Sequence, residues 1–124
     1  VACVEGELHD LPARIAADVL ELAGFDVCFA GSDVPTDHLL QLIGDERPDV
    51  LCLSFTMSHH LDSLRGVVRA VRSKRPGLPV LVGGHACRWS PGVVEAVGAD
   101  GSADDAAGLV DVVTRLAGGA GAAA

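Results

Sequence analysis

Aromatic side chains are nearly missing from this chain. Tyr is absent, Trp occurs once, and aromatics make up 3% of residues. A core without them must be filled by Val, Leu, Ile and Ala, as in a parallel sheet covered by helices on both faces. Long hydrophobic runs are missing too. No segment reaches the roughly 18 apolar residues of a membrane span, and the opening "VACVEGELHD" has neither the basic start nor the apolar centre of a signal peptide. That opening also has no Met and begins inside an apparent strand, so upstream sequence is expected.

Positive charge is in deficit: 9 Lys and Arg against 17 Asp and Glu leave a net charge of −8. Such a surface repels a phosphate backbone, which argues against direct nucleic-acid binding. The one basic stretch, "RGVVRAVRSKR", holds Arg65, Arg69, Arg72, Lys74 and Arg75. It reads as a solvated helix face whose cations suit the C-terminal end of the helix dipole. No two cysteines are spaced CxxC. Cys3, Cys28 and Cys52 fall in apolar strand-like runs and Cys87 stands apart, so they read as small hydrophobes rather than a zinc site or disulfide framework. GxGxxG and GxxxxGK[ST] are absent as well, which removes a Rossmann dinucleotide site and a P-loop. What remains is a cytoplasmic domain with no membrane segment.

At 124 residues, 49% apolar and 21% charged, the chain suits one globular domain. Apolar runs alternate with helical patterns throughout. Strands are expected at 1–4, 25–31, 48–55, 78–84 and, weakly, 99–103. Between them Ile15, Val19, Leu22 and Ala23 recur at helical spacing, with Gly24 as the stop. Leu39, Leu40 and Ile43 mark a second helix with Thr36 as its N-cap. Leu61, Leu64, Val68 and Val71 mark a third, and further helices are expected at 92–97 and 104–117. Five βα units predict an α/β fold, a doubly wound five-stranded parallel sheet of the flavodoxin-like (Rossmann-like) kind. The domain is expected to span 1–117, with "GGAGAAA" (118–124) as a disordered tail.

Ligands of such sheets bind beyond the carboxyl ends of the strands. The unusual residues fall there: Glu7, His9 and Asp10 after the first strand, Ser32 and Asp33 after the second, Ser54 to His60 after the third, and Gly83 to Trp89 after the fourth. An imidazole that ligates metal through one nitrogen usually gives its other N–H to a carboxylate, and Glu7-x-His9 is arranged for that. A solvated loop histidine is the plainer reading. Ser54 can bond a ligand over a strand end or merely satisfy the backbone. Gly83-Gly84 allows close approach of a flat ligand or makes a tight turn.

The order Glu7-x-His9-x-x-Pro12, Ser54-x-Thr56, Gly83-Gly84 resembles the D-x-H-x-x-G, S-x-L, G-G signature of the cobalamin (B12)-binding domain family. The resemblance covers nearly the whole chain, including "GFDVCFAGSDVP", "RPDVLCLSFTMSHHLDSLRGVVRAVR", "LPVLVGGHA" and "GADGSADDAAGLVDVV". It implies that His9 binds cobalt from below in place of the cofactor's own dimethylbenzimidazole, with Glu7 hydrogen-bonding the imidazole. The displaced nucleotide tail would enter the sheet, where Ser54 meets the freed base and Gly83 and Gly84 leave room. Asp10, Thr56, Ser58, His59 and His85 are the further cofactor-binding candidates on the rim. His60 and Trp89 share that rim, and His38 is expected on the surface. This chain departs from the pattern at Glu7 for Asp, Thr56 for Leu and Pro12 for Gly.

The resemblance implies cobalamin, as adenosylcobalamin or methylcobalamin, but names no reaction. No nucleophile–base pair is present to do chemistry alone. The favoured expectation is the sensory domain of a B12-dependent, possibly light-responsive, regulator, joined to a helical cap or effector domain upstream or in another chain. A homo-oligomer is also compatible. The first alternative is a corrinoid carrier for a methyltransferase or mutase. The second is the same fold binding heme or no tetrapyrrole.

Overall fold

The computed structural model describes residues 1–55, 61–83, 92–103 and 105–123, the side chains of 119–123 excepted. Four strands form one parallel sheet in the order β1 (Ala2–Cys3), β2 (Leu51–Ser54), β3 (Val80–Gly83), β4 (Gly101–Ala103). The helices are α1 (Leu11–Leu22), α2 (Thr36–Glu46), α3 (Leu61–Lys74), α4 (Val93–Val97) and α5 (Ala106–Ala123). The fold is flavodoxin-like α/β, as expected, with four strands where five were expected. Residues 25–31 form a single parallel bridge, Ala2 to Gly31. They still lie along β1: the Ala30 N–H donates to Val1 O at 2.8 Å, the Cys3 N–H to Gly31 O at 3.0 Å, and the Val1 backbone nitrogen to Cys28 O at 2.8 Å. A two-residue β1 is too short to support a longer ladder beside them. With this segment on the free side of β1, the order matches the 2-1-3-4-5 pattern of doubly wound sheets.

Alternation of side chains along the strands divides the core in two. Ala2, Leu51, Leu53, Val80 and Val82 pack against Leu39 and Ile43 of α2, Leu64 and Val71 of α3, and Val93 and Val97 of α4. On the other face Cys52 and Leu81 pack against Leu20 of α1 and Leu109 and Val113 of α5. Burial of Cys3 and Cys52 fits their reading as small hydrophobes, whereas Cys28 is exposed; Cys87 lies outside the described residues.

Helix α1 departs from expectation in which face it buries. Ala13, Ala17 and Leu20 are buried, while Leu11, Ile15 and Leu22 are 64%, 53% and 89% exposed. Alanines let the helix axis lie close to the sheet, and the larger residues are left beside an open groove. The helix ends at Gly24, whose φ of +99° lets Phe25 N–H reach back to Leu20 O at 3.0 Å. Thr36 is the first residue of α2 rather than its cap, which is Pro35. The basic run on α3 is more than a solvated face. Arg72 donates to the carbonyls of Leu78 (2.8 Å) and Gly98 (3.0 Å) and to Asp100 Oδ2 (2.7 Å), and Arg65 donates to Ala96 O (3.2 Å). The backbone of α5 continues past residue 117 to Ala123.

Candidate functional site

The β1–α1 turn is built around a buried carboxylate. Glu7 is fully buried, and its Oε1 accepts the backbone N–H of His9 at 3.0 Å and faces His9 Nδ1 at 3.1 Å. The His9 side chain is itself 71% exposed. A carboxylate facing Nδ1 favours the tautomer protonated there, which leaves Nε2 as the acceptor nitrogen on a ring open to solvent. Beneath the turn the Cys3 thiol donates to His9 O at 3.7 Å. Burial, then the charges of Glu7 and Asp10, push that thiol's pKa up to about 11, so it stays neutral.

The neighbouring crossover holds this turn in place. Gly6, at φ +91°, donates its N–H to Asp33 Oδ1 at 2.7 Å, and Asp33 N–H donates to Glu7 O at 2.8 Å. Asp33 itself sits at φ +47°, a left-handed conformation that Asp tolerates better than most residues. Its anchoring role was missed in the sequence, where it was only a rim residue. Asp10 turns away from Glu7 and His9: its Oδ2 pairs with Arg14 Nε at 3.0 Å.

Ser54 and Gly83 are register partners at the ends of β2 and β3. The same row continues to Cys3 on β1 and Ala103 on β4. Four small side chains therefore cross the sheet at its carboxyl edge, on the face covered by α1 and α5. Ser54, Gly83 and Ala103 of that row, with Cys52 and Leu81, floor a cavity of about 340 Å³ walled by Leu11, Ile15 and Val19 of α1 and Ala106 and Leu109 of α5. A Cβ added at Gly83 would meet nothing within 4 Å. The smallness of Ala103 and the outward turn of Leu11 and Ile15 were not singled out in the sequence. A parallel register is needed to see the row, and only the helix's rotation reveals the wall. A cavity of about 380 Å³ at the opposite end of the sheet, beside 25–30 and the start of β2, contains none of the candidate residues. Thr56, Ser58, His59, His60, Gly84, His85 and Trp89 lie outside the described residues. His38 is exposed on α2.

Two linked features thus stand at the strand ends. One is a solvent-facing imidazole oriented by a buried carboxylate; the other is an apolar slot reached through Leu11 and Pro12, the first residues of α1. Among the described residues no three His, Cys, Asp or Glu side chains gather as a metal cage. A lone imidazole suits a metal whose other ligands come with it, as in a tetrapyrrole, and an apolar slot suits an appended organic group. The residues present therefore fit a corrinoid.

The arrangement is that of a flavodoxin-like cofactor-binding domain. Residues 1–111 match the B12 binding domain family, and the chain belongs to that family: it is a corrinoid-binding domain. It is 29% identical over 117 residues to dimethylamine corrinoid protein 1 of Methanosarcina acetivorans, covering 91% of this chain and 53% of that protein. Among solved structures, a cobalamin-binding protein from Desulfitobacterium hafniense superimposes with a TM-score of 0.82 at 33% identity, over 93% of this chain and 56% of that one. The methanol:cobalamin methyltransferase complex of Methanosarcina barkeri shares the fold, with a TM-score of 0.84 at 23% identity over 95% and 45% of the two chains. The chain spans about half the length of these proteins. Among the described residues no helix is long and apolar enough to cross a membrane.

Proposed function

We propose that the domain is a corrinoid carrier of a methyl-transfer system, holding cobalamin with its nucleotide base displaced and His9 as the lower ligand of cobalt. The observation that carries this reading is the pairing of His9 Nδ1 with buried Glu7 beside the slot that Ser54 and Gly83 line. The carrier role displaces the sensory one expected from the sequence because the relative aligned over 91% of the chain is a corrinoid protein named for dimethylamine.

The corrin supplies the metal centre that accepts and gives up the methyl group. This chain supplies placement. Glu7 holds the Nδ1 proton, which fixes the ring and makes its other nitrogen a better donor. Ser54 and Gly83 would hold the displaced base, the Ser54 hydroxyl as a hydrogen-bond donor to it and the bare Cα of Gly83 by leaving room. Leu11, Ile15 and Leu109 would give the base an apolar wall to pack against. The open upper face is left for a methyltransferase domain in another part of the chain or in another chain.

Loading with hydroxocobalamin tests the site. A visible spectrum of histidine-ligated, base-off cobalamin is expected, and His9→Ala should abolish it and weaken retention at least about tenfold. Loading separately with methylcobalamin and adenosylcobalamin, then gel filtration in dark and light, tests the role. Retention of methylcobalamin with one assembly state throughout is expected of a carrier. Retention of adenosylcobalamin alone, with light-dependent assembly, would restore the sensory reading, and failure to take up any corrinoid would end both.

A further inference from the structure

We propose that Asp33 is a positioning residue for the cobalt ligand, holding the β1–α1 turn in the shape that brings the Glu7 carboxylate onto His9. The inference rests on the lower-ligand role proposed above for His9 and concerns what keeps that ring aimed. The turn itself is tight. Glu7 N–H donates to Val4 O at 2.9 Å, and Gly6 between them sits at φ +91°, which glycine adopts without strain. Gly6 N–H goes instead to Asp33 Oδ1 at 2.7 Å, and Glu7 O accepts the Asp33 N–H at 2.8 Å. Both ends of residue 7 are thus held, its N–H by Val4 and its carbonyl by Asp33. A rotation of that backbone would swing Oε1 away from Nδ1, which it faces at 3.1 Å.

Asp33 makes both contacts from a φ of +47°, a left-handed conformation unfavourable for most L residues. Asp and Asn tolerate it better than most, and each carries an oxygen that can accept from Gly6. Strain kept where it secures a metal ligand's turn points to function. The crossover around Asp33 has anchors of its own: Cys3 N–H donates to Gly31 O at 3.0 Å and Val34 N–H to Cys3 O at 3.2 Å. Removing the Asp33 carboxylate therefore frees the turn and leaves the crossover in place.

Asp33→Gly and Asp33→Asn separate the parts. Glycine keeps the backbone conformation, relieves its strain and deletes the carboxylate; asparagine keeps an acceptor oxygen and tolerates the same φ. Each chain is loaded with hydroxocobalamin and, separately, with cobinamide, which has no lower base, at about pH 8, where imidazoles are neutral. In Asp33→Gly the ratio of histidine-ligated to unligated corrinoid, read from the visible spectrum, should fall about three- to tenfold with both corrinoids. Its melting temperature should stay within about 5 °C of the parent. Asp33→Asn should match the parent in both respects. Without any corrinoid, NMR of the His9 ring nitrogens should show the tautomer protonated at Nδ1 in the parent and a mixture in Asp33→Gly. An unchanged ratio or an unchanged tautomer in Asp33→Gly would overturn the proposal. So would an equal loss in Asp33→Asn, which would place the effect in charge and not in the hydrogen bond, or a fall with cobalamin alone, which would place it in the slot. A collapse of the Asp33→Gly melting temperature would make the role merely structural and overturn it too. Absence of histidine ligation in the parent would overturn the lower-ligand reading, and the tautomers of the corrinoid-free chains would still decide what Asp33 does.

Discussion

Glu7 is an expensive residue to bury: a carboxylate removed from water costs several kcal/mol unless its oxygens find donors. Here Oε1 accepts the backbone N–H of His9 and faces its ring Nδ1, so part of that cost is offset by contacts that orient one imidazole. The extra methylene relative to Asp is absorbed by the turn, which Gly6 and Asp33 hold from the other side. Charge of another kind limits stability at Cys52. Burial raises that thiol's pKa above its ordinary 9.0. The unfolded chain then loses the proton at a lower pH than the folded one. Stability from the neutral buried thiol is fully present below pH 9.0 and declines as pH rises beyond it. Thermal melts above that pH should fall, and Cys52→Ala should flatten the decline; an unchanged slope would count against burial as its cause.

At the scale of elements, the slot comes from a row rather than from a motif. Cys3, Ser54, Gly83 and Ala103 stand side by side across four strands, and two of the four were legible because they match a family signature. Cys3 was read only as a small hydrophobe, and Ala103 carries no mark of its own, since its meaning depends on which residue lies beside it in the sheet. Helix α1 teaches the same point. Its period was readable, but whether Ile15 or Ala13 faces the sheet is set by how closely the helix packs, and the sequence favoured the larger residues. Residues 25–31 read as a strand from their apolar run; a ladder needs a partner of matching length, and β1 does not offer one. Filling the row is the direct test. Gly83→Val should fold normally, because the added Cβ meets nothing within 4 Å and β-branched residues suit strands. It should nonetheless lower cobalamin affinity at least about tenfold while cobinamide is still taken up. If cobalamin binds the variant as well as the parent, the slot is not where the base goes.

For the whole molecule, the carboxyl edge can act as a site only if β3 and β4 keep their register, and much of that duty falls to Arg72. One guanidinium at the end of α3 reaches the Leu78 carbonyl before β3, the Gly98 carbonyl after α4 and the Asp100 carboxylate before β4. Asp100 Oδ2 also accepts the Val80 N–H at 2.8 Å, which joins the start of β3 to the same cluster. The sequence showed the cation but not its targets, because they lie 6, 26 and 28 residues away. Side chains here are about one-third exposed, so the ion pair with Asp100 is worth little by itself in water. The two backbone carbonyls carry more, since without Arg72 they lose a charged donor. Arg72→Ala is therefore expected to cost about 1–3 kcal/mol in urea unfolding. Arg72→Lys should recover little of it, because an ammonium lacks the planar fork that spans several acceptors. Exposed Arg69, on the same helix, is the control: Arg69→Ala should stay within about 0.5 kcal/mol of the parent. Equal effects of the two alanine variants would mean that net charge on α3, and not the bridging of two strand entries, is what Arg72 contributes.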